Sequence, residues 1–450
     1  MVHYLKIENF GPVKDTVEIN FEVVEQVEDA YEVTMPDGRH LLKLAYIYGA
    51  NASGKTTILK AFEFLRKLLL KPVTDKGIEL NFEPFLFRNT PYKKPSRFEM
   101  SFYVEGIRYV YQLSFNKQAI LDEKVVFYQT AKPTEIFSRS TDIKKRLAKV
   151  QFGSKIKVPA REKDLLESNT LHNNTVIGAY TKTNVDIPEL EKLNKWFNAF
   201  LLGMITSAQN LTEITVSLID RDPLVNQWMN TFLNKADKQI SAVEISDSDN
   251  LIHIPVDESQ LSDFTSRSVS RESHPQKGRI NMMKHVSISP AKYYGGGAVQ
   301  RRIDFVHTVS NNKNYPLSIL SESSGTKRYF GLGGPLYALI HASSLLCIDE
   351  LETSLHPDLM KHFLQIFLLN AKSSQLLVTT HNTSLMENQD FIRRDALWFS
   401  EKNEDGSIGL YSAADFDSAT LRKDASIINA YKAGRLGAKP NLGSPYLSVE

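Results

Sequence analysis

Residues 44–65 constrain this chain more than any other stretch. Gly49-Ala50-Asn51-Ala52-Ser53-Gly54-Lys55-Thr56 satisfies every fixed position of the phosphate-loop pattern G-x-x-x-x-G-K-[ST]. Leu44-Ala45-Tyr46-Ile47-Tyr48 before it reads as a buried strand, and Ile58 to Leu65 after it as an apolar-periodic helix. That context gives the glycines a physical task. Gly49 and Gly54 let successive amides wrap an anion at the positive end of a helix. Asn51, Ser53 and Thr57 belong to the same cradle, Lys55 would reach the β- and γ-phosphates of ATP, and Thr56 would hold Mg²⁺ through its hydroxyl. The expected fold class is α/β.

Composition narrows the field without choosing a function. A length of 450 residues supports two or three compact units, at about 150 residues each. Hydrophobic content of 42% and charged content of 24% are those of an ordinary globular protein. A net charge of +2 makes no global case for nucleic acid, so any such contact must come from a local patch. The single cysteine, Cys347, excludes an internal disulfide and a Cys-rich zinc site, and its apolar neighbours mark it as a small core residue. No run reaches the roughly 18 apolar residues of a membrane helix, and Met1 to Lys6 has no signal-peptide layout. The expected location is the cytoplasm.

Along the chain, His3–Ile7 and Val17–Phe21 alternate as two strands around Asn9-Phe10-Gly11-Pro12. Residues 31–33 and 41–44 flank the turn signal Pro36-Asp37-Gly38. Residues 97–104, 108–115 and 124–128 read as an antiparallel meander. From about 141 the pattern turns helical, opening with a basic run from Lys144 to Lys163 that reads first as a solvated helix face. Ile187–Leu202 and the stretch opened by Asp222-Pro223 have helical apolar spacing, and their aromatics are expected to form an insertion's own core. Residues 257–281 are polar and Ser/Arg-rich, which predicts a mobile loop. Gly295-Gly296-Gly297 reads as a turn before a strand over 303–307. The domain reading is an N-terminal lobe over 1–140, a mainly helical insertion over 141–285 and a C-terminal lobe over 286–450.

Three stretches in the last lobe complete a site. Ser343 to Ile348 is an apolar parallel strand that ends in Asp349-Glu350, at the end of the strand where ligands gather in such sheets. Asp349 would bind the Mg²⁺ shell, and Glu350 would take a proton from an attacking water. Ser374 to Thr380 is a second such strand ending in His381, placed to touch the γ-phosphate. Glu322-Ser323-Ser324-Gly325-Thr326-Lys327-Arg328 opens an apolar helix, and its hydroxyls and amides offer a second anion-binding end.

In this order, phosphate loop, insertion, signature, Asp-Glu strand and histidine, the chain resembles the ABC-type ATPase heads of SMC, RecF, RecN and OLD-family proteins. Ile348-Asp349-Glu350-Leu351-Glu352, Leu355-His356-Pro357 and the closing run Tyr431–Pro440 look like AAA/ABC-like ATPases of bacterial anti-phage operons, such as RloA, the AbiL ATPase and AriA of PARIS. The resemblance implies an ABC-ATPase head with an antiparallel β lobe, working as a head-to-head dimer with ATP sandwiched between subunits. Ser323 and Gly325 would then meet the γ-phosphate held by the opposite copy's Lys55. Here the signature departs from Leu-Ser-Gly-Gly-Gln, and the family's glutamine-loop residue has no assignment.

The resemblance also implies the function. OLD-type relatives carry a Toprim nuclease after the head, and from the short stretch beyond His381 none is expected in this sequence. The expected role is an oligomeric ATPase that acts as scaffold and sensor for a separate effector nuclease, answering a phage-encoded trigger. The alternative is a RecF- or SMC-like DNA-binding ATPase of repair, using residues 144–163 or 267–279. A transporter subunit is a third class that the large insertion argues against.

Overall fold

The computed structural model describes residues 1–25, 30–247, 301–310, 312–387, 392–417 and 426–440. The expected Ser/Arg-rich loop and the Gly295–Gly297 turn lie outside them. Packing divides the chain into two units, one of Met1–Ser207, Ser344–Leu351 and Gln375–Glu450, the other of Ala208–Ser343 and Glu352–Ser374.

In the first unit, β1 (Val2–Glu8), β2 (Val17–Asn20), β6 (Ser96–Val104), β7 (Ile107–Phe115), β8 (Ile120–Tyr128), β9 (Thr134–Asp142) and β10 (Leu147–Phe152) form an antiparallel sheet in the order β10-β9-β8-β7-β6-β1-β2. A short hairpin, β3 (Glu32–Thr34) with β4 (His40–Leu42), closes on the Pro36-Asp37-Gly38 turn. The second sheet runs β14-β15-β5-β16-β17, with β5 (Leu44–Tyr48), β14 (Leu345–Ile348), β15 (Gln375–Thr379), β16 (Leu397–Lys402) and β17 (Ile408–Ser412). All its pairings are parallel except the last. Every residue of β5, β14 and β15 is buried, which is why these strands run largely apolar rather than alternating. Gln375 and Thr379, at the two ends of β15, are polar, and Gln375 joins the strand to its surroundings. The Gln375 side chain accepts from the Val2 amide at 2.6 Å and donates to the Val2 and Leu42 carbonyls at 2.8 and 3.1 Å, so one amide satisfies backbone groups of β1 and of β4.

The helix after the phosphate loop, α1 (Lys55–Leu70), buries Ile58, Leu59, Phe62 and Leu65. Its Phe64 meets Phe10, Phe82, Phe98 and Phe115 at centroid distances of 5.1 to 6.0 Å, fixing the helix against the antiparallel sheet. Helices α2 (Ala160–Asn169), α3 (Val176–Tyr180) and α4 (Pro188–Phe200) follow. The turn to helix expected at 141 comes only at Ala160, because β9 and β10 extend the meander through 152. The α4 aromatics are not an insertion's own core either. Trp196 stacks on Phe102 at 4.3 Å and Phe197 meets Phe102 at 5.1 Å, so they belong to the core under the antiparallel sheet.

A buried ion pair ties α3 to that sheet. Glu123 on β8 accepts from the Val176 amide at 2.8 Å and from Tyr111 Oη at 2.9 Å, and it lies 4.0 Å from Arg139 on β9 with both side chains fully buried. Burial pushes the Glu123 carboxyl up and the Arg139 guanidinium down, so desolvation outweighs their attraction.

The second unit holds α5 (Thr212–Arg221), α6 (Pro223–Ala236), α7 (Ser324–His341), α8 (Pro357–Asn370) and a three-stranded sheet, β11 (Ile240–Asp247), β12 (Arg301–Thr308) and β13 (Asn314–Ser318). Asp222 caps α6 by accepting from the Leu224 amide at 2.9 Å, with Pro223 at the first helical position as its sequence predicts. Phe232 of α6 stacks on Tyr329 of α7 at 4.4 Å. Pro335 lies inside α7 and cannot donate to the carbonyl one turn earlier. Thr215 of α5 takes its place, donating to Gly331 O at 2.8 Å and accepting from the Gly334 amide at 3.2 Å.

Candidate functional site

The carboxyl ends of three adjacent strands, β5, β14 and β15, meet at one rim of the parallel sheet. Beyond β5 the chain turns through the phosphate loop. A Cβ on Gly49 would lie 2.3 Å from Ser400 O and 2.5 Å from Ser53 Oγ, so no larger residue fits there. Gly54 stands at φ +91°, a conformation that L side chains rarely adopt, and leads directly into α1. Ser400 on β16 donates to Ser53 O at 2.5 Å and anchors the loop from below. Lys55 is buried, and its Nζ donates to Gly49 O at 2.8 Å and Ala50 O at 2.9 Å, holding the ammonium across the loop.

Beyond β14, Asp349 is buried and its carboxylate accepts from Thr56 Oγ1 at 3.1 Å through both oxygens. Thr379 at the end of β15 donates to Asp349 Oδ1 at 2.6 Å, and its hydroxyl accepts from the Glu350 amide at 2.8 Å. One hydroxyl thereby fixes two neighbouring acidic residues. Glu350 itself sits at φ +49° in the left-handed region, which is uncommon for a residue with a Cβ and frequent at functional sites. His381 follows the end of β15 and is exposed. Burial holds the thiol of Cys347, on β14, well above its ordinary value, which leaves it inert.

These groups ring a cavity of about 400 Å³ lined by Asn51, Gly54, Lys55, Thr56, Thr57, Asp349, Glu350 and His381, together with Pro12. Gly49 and Ser53 shape the loop from beneath. The two expected metal ligands are also adjacent, and a hydroxyl with a carboxylate is the hard oxygen pair that Mg²⁺ takes.

Ser323 and Gly325 stand on the second unit, at the start of α7. Ser323 Oγ accepts from the Thr326 amide at 3.0 Å and so caps the helix. A Cβ on Gly325 would lie 3.0 Å from Ser354 O. Glu322 is held by His307 of β12 at 2.7 Å.

Pro12, Thr379 and Ser400 were not singled out from the sequence. Thr379 had a readable signal, a polar residue at the carboxyl end of an apolar strand beside the Asp-Glu strand. Pro12 and Ser400 act through long-range pairings that no local pattern carries.

Among known proteins, the family model described as "AAA domain, putative AbiEii toxin, Type IV TA system" matches residues 44–387. No curated protein matches. Among solved structures, the SMC head domain from Thermotoga maritima is similar at 14% identity and TM-score 0.38, over 91% of this chain and 98% of that one. An Smc head bound to the C-winged helix domain of ScpA is similar at 12% identity and TM-score 0.41, over 91% and 97%. An Smc head bound to the C-terminal domain of ScpA derived from Pyrococcus furiosus gives 12% and 0.36, over 96% and 98%. No helix among the described residues is long and apolar enough to cross a membrane. With the family model spanning from the phosphate-loop strand to beyond His381, well over half its length, the chain belongs to this family of AAA domains.

Proposed function

We propose that the chain binds ATP in the cavity at the end of β5, β14 and β15 and hydrolyses it to ADP and phosphate. The observation that carries this reading is the convergence of Lys55, Thr56, Asp349, Glu350 and His381 on one rim, with Thr56 and Asp349 in hydrogen-bond contact. Lys55 and the loop amides bind the β- and γ-phosphates. Glu350 accepts a proton from the attacking water, and His381 contacts the γ-phosphate. Thr56 and Asp349 would hold Mg²⁺, which when bound neutralises phosphate charge.

Ser323 and Gly325 act on the ATP of a second copy, so that ATP closes a dimer and hydrolysis reopens it. A second anion-binding helix end on a separate unit supports this division of labour. The assembly serves as scaffold and sensor for a separate effector, a Toprim-type nuclease released by a phage-encoded trigger. The toxin–antitoxin wording of the matched family supports a defensive role.

The test is a Glu350→Gln variant, assayed for phosphate release and for mass with and without ATP. Turnover is expected to fall by about a hundredfold or more, as loss of a positioned base requires. ATP binding persists, and the dimer accumulates. Undiminished turnover would remove Glu350 from the chemistry. Failure to bind ATP would remove the whole reading.

A further inference from the structure

Strand β5 is buried along its whole length between two neighbours, so packing alone asks for aliphatic residues or phenylalanine there. Two of its five residues are instead tyrosines, Tyr46 and Tyr48, both fully buried. A buried phenol hydroxyl needs a partner, and these two find different ones. Tyr46 meets Tyr31, just ahead of β3. Tyr48 Oη donates to the Asn382 carbonyl at 3.1 Å. Asn382 directly follows His381, and Gly49 of the phosphate loop directly follows Tyr48. On the other side of the histidine, the Thr380 amide donates to Ile47 O at 3.2 Å. Both residues that flank His381 are therefore tied to the last two residues of β5. The paired register of β15 with β5 ends at Thr379 and Ile47, and the Tyr48 hydroxyl carries the connection past that end.

We propose that Tyr48 is a positioning residue for His381, holding the imidazole at a fixed offset from the phosphate loop so that it meets the γ-phosphate of ATP. This rests on the hydrolytic reading of the site. His381 is exposed and lies between β15 and the short helical turn Thr383–Glu387, outside any strand pairing. A hydroxyl from the strand that carries the phosphate loop supplies the hold, and it refers the histidine to the loop itself. Such precision matters because a displacement of about 1 Å at a reacting group can lower the rate by about a hundredfold. A hydroxyl that served packing alone would, on removal, lower stability and treat ATP and ADP alike. A positioning role separates the two nucleotides, since ADP has no γ-phosphate for His381 to meet.

The experiment compares the wild type with Tyr48→Phe, Tyr46→Phe, His381→Ala and the Tyr48→Phe/His381→Ala double variant. The urea midpoint shows that each is folded, and phosphate release gives turnover. Calorimetric affinities for ATP and ADP are measured on the Glu350→Gln background, so that ATP persists. Tyr48→Phe keeps the ring and removes one oxygen. It is expected to bind ADP as its parent does and ATP about fivefold more weakly, the equivalent of one hydrogen bond. Its turnover should fall by about tenfold. Tyr46→Phe loses a buried hydroxyl from the same strand and should change neither the ratio of the two affinities nor turnover. In the double variant the tyrosine change should add nothing to the loss from His381→Ala. Unchanged ATP affinity in Tyr48→Phe, equal weakening of ATP and ADP, or losses that multiply in the double variant each overturn this role and leave the hydrolytic reading intact. A wild-type protein that binds no ATP overturns both.

Discussion

Glu350 illustrates how a residue can be placed against its own preference. Its left-handed backbone turns the chain sharply after β14, and the Thr379 hydroxyl accepts from its amide and holds that turn. An L residue in this conformation costs about 1 kcal/mol that glycine avoids. Glu350→Gly is therefore expected to raise stability in urea denaturation by up to about 1 kcal/mol while phosphate release disappears. A stability loss instead would show that the side chain, not the backbone, dominates at this position. The phosphate loop, Asp349, Glu350 and His381 could all be picked out from residue type and order, and the structure gathers them round one cavity. The strain at Glu350 was not legible, since it arises only when the strand end is packed against β15.

At the scale of elements, Ser323 has two roles that can be separated. It caps α7 through the Thr326 amide, and it is the residue proposed to meet another copy's γ-phosphate. Ser323→Ala is expected to cost about 1 kcal/mol of stability from the lost cap. Ser323→Asp keeps a strong cap and should unfold as the wild type does, yet its carboxylate would repel a phosphate. In a mass measurement with ATP on the Glu350→Gln background, the Asp variant should remain monomeric. A closed dimer there would free Ser323 from nucleotide contact. The strands that alternate or run apolar, and the helix behind Asp222-Pro223, could be read directly. β9 and β10 could not, because serines, threonines and lysines on the exposed faces hide the buried Ile136, Phe137 and Val150. The aromatic stripes were correctly placed on helices, but a stripe does not say which sheet it will meet. Trp196 and Phe197 meet the antiparallel sheet.

For the whole molecule, the first unit depends on a charge pair that burial disfavours. Arg139→Met would leave Glu123 buried without its cation, at a cost of about 3–5 kcal/mol near neutral pH. The carboxyl is already held above its ordinary value of 4.5, and losing Arg139 raises it further. A folded-state value above the unfolded one means that stability is kept below 4.5 and lost as pH rises through the folded value. The variant's deficit should thus shrink as pH falls from 8 toward 5, read by denaturant midpoint. A deficit independent of pH would mean that lost packing, not the orphaned carboxylate, sets the cost. A Glu123→Gln/Arg139→Met double variant should recover much of the loss at neutral pH.

The order of strands in the parallel sheet has a further consequence, for biosynthesis. β5 is made early, whereas both its neighbours, β15 and β16, lie beyond residue 374. At roughly 5–20 residues per second on the ribosome, the phosphate-loop strand waits tens of seconds for a pairing partner. Its apolar run must be shielded during that interval, by the antiparallel meander that emerges next or by a chaperone. The candidate site at the carboxyl ends of β5, β14 and β15 is consequently completed late in translation, once β14 and β15 have been made.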